Sequence, residues 1–173
     1  MAIESWERCL AERLRPGTVI IGVGNPLRGD DAAGTLLARR LEDRVPLHVE
    51  NAGVAPENFV VKISALHPRQ VVFVDAVCFD AEPGAVAWFA PGELEGADVS
   101  CHAASLALCA ALLEEETGAV TSVLAIRPEA CRLGEPLSAP VAAAVERVAQ
   151  AIETALRAPC PENQPPQRRQ GKP

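Results

Sequence analysis

Thr18-Val19-Ile20-Ile21-Gly22-Val23-Gly24-Asn25-Pro26-Leu27-Arg28-Gly29-Asp30-Asp31 is the stretch on which the fold turns. Its first six residues are a continuous apolar run, and their number and β-branched side chains favour a buried strand over a helix. Gly24 to Gly29 then reads as a loop, after which Asp30 or Asp31 can cap a helix carrying Leu36, Leu37 and Leu41. Strand, glycine-punctuated loop and helix in that order open an α/β domain.

Working outward, Gly17 breaks the pattern upstream, and the first 14 residues read as a short amphipathic helix with Ile3, Trp6 and Leu10 at helical spacing. Downstream, Leu47-His48-Val49-Glu50 reads as a second strand. Pro56-Glu57 opens a second helix whose Phe59, Ile63 and Leu66 fall on one face. Val71-Val72-Phe73-Val74 is a third strand that runs into Asp75. Pro83-Gly84 turns the chain into a fourth strand, Ala85-Val86-Ala87-Trp88-Phe89. The connection from Asp75 is too short for a helical crossover, so this strand is expected to be antiparallel and at an edge.

A third helix starts near His102 and carries Leu106, Cys109 and Leu113. Val120 to Ile126 is the fifth strand, and Ser138-Ala139-Pro140 starts a last helix with Val141, Val145, Val148, Ile152 and Leu156 along one stripe. The pattern predicts a three-layer α/β domain over residues 16–157, with a mostly parallel five-stranded sheet, helices on both faces and one antiparallel edge strand. Residues 1–15 form an amphipathic extension. Residues 158–173, rich in Pro, Gln, Arg and Lys, are expected to be a disordered tail.

Composition agrees with one such domain in 173 residues. Aromatic residues are only 3% with no Tyr, so the core must come from Ala, Val, Leu and Ile, which suits a parallel sheet under aliphatic helices. Sixteen basic against 23 acidic residues leave a net charge of −7, and an acidic surface repels phosphate backbones, which excludes nucleic acid as a partner. The six cysteines are scattered without a C-x-x-C pair, arguing against a zinc ribbon or a disulfide framework. No segment approaches the roughly 18 unbroken apolar residues of a membrane span, and the start of the chain lacks signal-peptide character. A cytoplasmic monomer with reduced thiols is expected.

In open α/β sheets, ligands bind beyond the carboxyl ends of the strands. Asp30 and Asp31 lie just past the first strand, Asp75 terminates the third, and His102 precedes the third helix. Two carboxylates and an imidazole suit a divalent metal with open coordination positions. Each has a plainer explanation. Asp31 can be a helix N-cap, although Asp30 comes first and fits that role better, leaving Asp31 for other work. A buried carboxylate at Asp75 is costly unless paired. A histidine near a helix start is commonly a capping or surface residue, and His48 and His67 carry even less signal.

Gly22-x-Gly24 after a strand also suggests dinucleotide binding, with Glu50 as a ribose-binding acid. The third glycine of that fingerprint falls at Leu27, however, and Pro26 lacks the N–H that a phosphate-cradling turn uses. No G-x-S-x-G elbow is present. Cys101 and His102 are adjacent in sequence, and neighbours at a loop–helix junction diverge.

Gly22 to Gly34, read as Gly-Val-Gly-Asn-Pro-Leu-Arg-Gly-Asp-Asp-Ala-Ala-Gly, closely resembles the N-terminal signature of the nickel–iron hydrogenase maturation peptidases. Asn51-Ala52-Gly53-Val54-Ala55-Pro56-Glu57-Asn58 resembles their second motif in the branch that processes hydrogenase 3-type large subunits. Val74-Asp75-Ala76, Ser100-Cys101-His102 and Ala125-Ile126-Arg127-Pro128 are similar to the remaining motifs, in order, from about Thr18 to Leu156. Two positions depart from the pattern: Ala32 stands where many relatives have Gly, and Arg127 replaces a more usual Gln or other uncharged residue.

The resemblance implies a twisted five-stranded sheet flanked by helices, and a metal site of Asp31, Asp75 and His102. It further implies an endopeptidase that removes a C-terminal extension from the hydrogenase large subunit precursor, recognising nickel supplied by that substrate. Water activation would fall to the metal or to a nearby carboxylate such as Asp30. The alternatives are a non-catalytic chaperone for the nickel-loaded large subunit and a nucleotide-binding α/β enzyme.

Overall fold

Val19, Ile21 and Val23 of β1 (Thr18–Val23) point to one side of the sheet and Ile20 to the other, so β1 is covered by helices on both faces. A computed structural model describes residues 6–94 and 102–157. Around β1 lie β2 (His48–Gly53), β3 (Gln70–Ala76), β4 (Val86–Phe89) and β5 (Val120–Ile126) in the spatial order β2-β1-β3-β5-β4. All pairings are parallel except β4 with β5, which places the antiparallel strand at an edge as expected.

One layer packs α1 (Trp6–Arg13), α2 (Ala33–Leu41) and α5 (Ala139–Arg157) on Ile20, Val72, Val74, Leu124 and Ile126. The opposite layer packs α3 (Val60–Ser64) and α4 (Ala103–Thr117) on Val19, Ile21, Val71, Phe73 and Val123. The apolar stripe of α5 is buried at Val141, Val145, Val148 and Ile152, as its 3.6-residue period requires. Arg40 on α2 joins the two helices at the surface through Glu153 at 2.8 Å and Glu146 at 3.4 Å.

Several expectations need correction. Neither Asp30 nor Asp31 caps a helix: Gly29–Ala32 form a 3-10 turn, α2 follows from Ala33, and no side chain caps either. The second helix is a 3-10 turn, Pro56–Phe59, running into the short α3; Ile63 is buried but Leu66 lies beyond the helix and is 46% exposed. Asp75 does not end its strand. It pairs with Ala125 inside the ladder, and Ala76 continues β3. At the N-terminus the helix is present over Trp6–Arg13, while Ile3 lies outside the described residues, as does the 158–173 tail.

The N-terminal segment is fused to the domain rather than appended to it. Leu10 and Leu14 are buried in the α2/α5 layer. Trp88 on β4 donates its indole N–H to the Trp6 carbonyl at 3.0 Å, and the Arg13 guanidinium sits 4.9 Å above the Trp88 ring.

The topology creates one crevice. From β1 the chain crosses through α2 to β2, whereas β3 leads away to β4, α4 and β5, so the connections diverge between the adjacent strands β1 and β3. Such a switch point leaves open space beyond the strand ends. The loop after β1 and the end of β3 both arrive there.

Candidate metal and catalytic site

Asp75 shares the parity of Val71 and Phe73, whose side chains face α3 and α4. α4 starts over that face with His102 as its N-terminal flanking residue, and the imidazole makes no capping bond and faces Asp31. Asp31 comes from the 3-10 turn after β1. Three elements distant in sequence thereby converge: one potential ligand atom from each of Asp31, Asp75 and His102 lies within 4.8 Å of the others. All three residues are buried.

Each side chain is oriented by its surroundings. The Asn25 backbone N–H donates to Asp31 Oδ2 at 3.1 Å, which leaves Oδ1 facing His102 Nε2 across 3.7 Å. Asn25 is itself set by a turn in which its Oδ1 accepts the Leu27 N–H at 2.9 Å. Asp75 Oδ1 accepts the Ala76 N–H at 2.9 Å. The Asp31 carboxylate raises the His102 pKa above its ordinary 6.5; burial opposes this, while Asp75 and the nearby Glu57 reinforce it. Glu57, in the turn before α3, is an acid near the site that charge and spacing did not single out, although it lies inside the second family-like motif.

Asp30 does something else. Its Oδ2 accepts N–H groups from Glu129 at 2.8 Å and Ala130 at 3.1 Å, and the Ser138 hydroxyl at 2.9 Å. Its Oδ1 accepts the Ser138 N–H at 2.7 Å. The carboxylate is 1% exposed and ties the 24–31 loop to the segment between β5 and α5. No local signal could announce partners about a hundred positions away. Ser138 was legible only as a helix start.

The glycines of the loop serve packing. Gly24 has φ +134°, and a Cβ there would overlap the Asp31 carbonyl oxygen; a Cβ on Gly34 would overlap the carbonyl oxygens of Val23 and Val74. These are close backbone approaches within the protein. Arg127, the departure from the family-like pattern, donates through Nε to the Phe79 carbonyl at 2.9 Å and so holds the loop after β3. Cys101 lies outside the described residues, whereas Cys9, Cys78 and Cys109 are free thiols.

The chemistry is that of two carboxylates and one imidazole, a donor set suited to a divalent transition metal with open positions for substrate. Known proteins share the frame. The hydrogenase maturation protease family profile, HycI, matches residues 32–155. The hydrogenase 3 maturation protease of Escherichia coli (strain K12) is 33% identical over 138 residues, covering 78% of this chain and 88% of its own. The crystal structure of the NiFe hydrogenase maturation protease HycI from Thermococcus kodakarensis KOD1 superposes with a TM-score of 0.78 at 36% identity, covering 86% of this chain and 99% of that one. The hydrogenase maturating endopeptidase HybD from E. coli, at 23% identity and a TM-score of 0.66, shares the fold. With a profile spanning most of the domain and relatives this similar over nearly their full length, the chain belongs to the hydrogenase maturation protease family, which are peptide hydrolases.

Proposed function

We propose that the protein removes a C-terminal extension from the nickel-loaded large subunit precursor of a nickel–iron hydrogenase, and that Asp31, Asp75 and His102 ligate nickel presented by that precursor. The observation that carries this reading is the convergence of one ligand atom from each residue within 4.8 Å, in a buried crevice. Nickel arrives as part of the substrate, so recognition depends on metal loading. A divalent ion held this way polarises a carbonyl or lowers the pKa of water.

The chain's own residues hold and orient. Asn25 fixes Asp31 through its backbone N–H, and Asp31 faces the imidazole. Asp30, whose oxygens receive four donors, is better suited to positioning the loop than to activating water. On this reading the attacking water is activated at the metal or by Asp31 or Asp75.

We place the protein in the cytoplasm as a monomer. Among the described residues, the free thiols of Cys9, Cys78 and Cys109 fit a reducing compartment. Both sheet edges are guarded, β2 by the Glu50–Lys62 ion pair and β4 by its contacts with α1, which supports the monomer. Among the described residues no helix is long and apolar enough to cross a membrane.

The test is incubation of purified protein with nickel-loaded and nickel-free precursor, followed by mass spectrometry. Loss of the C-terminal extension only from the loaded form is expected, and Asp31→Asn should abolish it. Cleavage by Asp31→Asn and His102→Ala at the wild-type rate would sink the metal-site assignment. A non-cutting chaperone predicts binding of the loaded precursor with no change in mass.

A further inference from the structure

Asp31, Asp75 and His102 are 3%, 0% and 9% exposed. A metal presented by a protein substrate reaches such recessed groups only if the substrate itself presses onto the loops around them. The loop that carries Asp31 and two segments bonded to it each hold out an apolar side chain: Leu27 is 66% exposed, Val54 53% and Leu133 75%. Singly exposed apolar residues are ordinary. These three are different because the backbone bolts their segments together.

Gly24 N–H donates to the Gly53 carbonyl at 2.8 Å, one residue before Val54. Gly134 N–H donates to the Leu27 carbonyl itself at 2.8 Å, one residue after Leu133. Arg28 Nη2 reaches the Cys131 carbonyl at 3.3 Å, and the Asp30 clasp anchors the same two segments from beneath. Leu27 and Leu133 are thus neighbours on one rigid tip, at a set offset from Asp31. A surface already ordered loses little conformational entropy when a partner covers it.

We infer that Leu27, Val54 and Leu133 form a docking ledge for the substrate, which meets it with an apolar patch of folded protein surface surrounding its metal. The inference rests on the proposed reading of the precursor as substrate and adds which surface of this chain selects it. A ledge outside the reacting groups holds ground state and transition state alike, so it acts on KM and leaves kcat unaltered. Other apolar exposure serves as a control: Leu112 is 36% exposed on α4, about 15 Å along the helix from His102 at 1.5 Å per residue.

The experiment is steady-state cleavage of nickel-loaded precursor by the Leu27→Ser/Leu133→Ser double variant. A rise in KM of roughly tenfold at unchanged kcat is expected, the scale of losing a small apolar hot spot. Val54→Ser should raise KM in the same direction, and Leu112→Ser should leave it alone. An unchanged KM in the double variant, or a fall in kcat at constant KM, overturns the ledge while wild-type cleavage leaves the protease reading standing. If the wild type leaves the precursor uncut, that reading fails, and calorimetric titration of the same variants with precursor decides the ledge separately. Binding weakened about tenfold by Leu27→Ser/Leu133→Ser supports it, and unweakened binding overturns it.

Discussion

Asp30 and Ser138 are joined twice, by the Ser138 N–H to Oδ1 at 2.7 Å and by the Ser138 hydroxyl to Oδ2 at 2.9 Å. This pair is the hinge pin between the loop after β1 and the start of α5. Asp30→Ala removes a buried carboxylate that receives four part-buried hydrogen bonds at once, so the variant should lose about 2–4 kcal/mol of stability. Ser138→Ala keeps the backbone donor and should lose about 1 kcal/mol. Urea denaturation of both variants checks the order; equal losses would show that the carboxylate is not the centre of the network.

His102 should titrate above the ordinary histidine value of 6.5, chiefly because of Asp31. With three histidines in the chain, an NMR titration resolves it from His48 and His67. In Asp31→Asn the midpoint should fall. The sign for stability follows from linkage: a raised folded pKa contributes stability that is fully present below the unfolded value and is lost as pH rises through the folded one. The proposed metal ligation would run the other way, since it needs the neutral ring. Cleavage should therefore decline with acidification, starting at a higher pH than an unperturbed histidine would give. A midpoint at or below 6.5 would remove the Asp31–His102 coupling.

Gly34 lets α2 lie directly on the strands, and a methyl group there would collide with the carbonyl oxygens of Val23 and Val74. Gly34→Ala should cost about 3 kcal/mol or more and displace the turn carrying Asp31. Gly92→Ala, where a Cβ meets nothing within 4 Å, should be close to neutral. Thermal unfolding of the two variants makes the comparison.

Leu10 is 1% exposed although it belongs to the segment read as an extension. Leu10→Ala should destabilise the whole domain by about 2–5 kcal/mol. A single cooperative transition at lower denaturant is the expected result. A separate early transition for α1 would mean that the helix is only loosely attached.

The sheet was readable because β1, β3 and β5 are buried on both faces and so appear as unbroken apolar runs, and the short link to β4 forced its antiparallel edge position. Asp31, Asp75 and His102 were readable because each lies close to a strand end or helix start that an α/β topology sends to one rim, Asp75 one residue inside its strand. Their roles as ligands are a proposal. What escaped was non-local. Leu66 fitted a helical stripe but the helix stops at Ser64, and Asp30 looked like a cap because Ser138, Glu129 and Ala130 are distant in sequence. The Asn25 amide that orients Asp31 is a backbone group and leaves no trace in residue identity.

The adjacency of β1 and β3 also bears on the order of events in biosynthesis. Asp31, Asp75 and His102 belong to separate elements, and they meet only after β1 and β3 have paired across the intervening β2 and the α4 layer has settled on them. Pairing of that kind forms late, because distant chain segments must first be brought together. On the proposed reading, a nascent or misfolded copy therefore has no assembled site with which to seize metal or cut a chain, and its competence serves as a certificate that its own folding is finished.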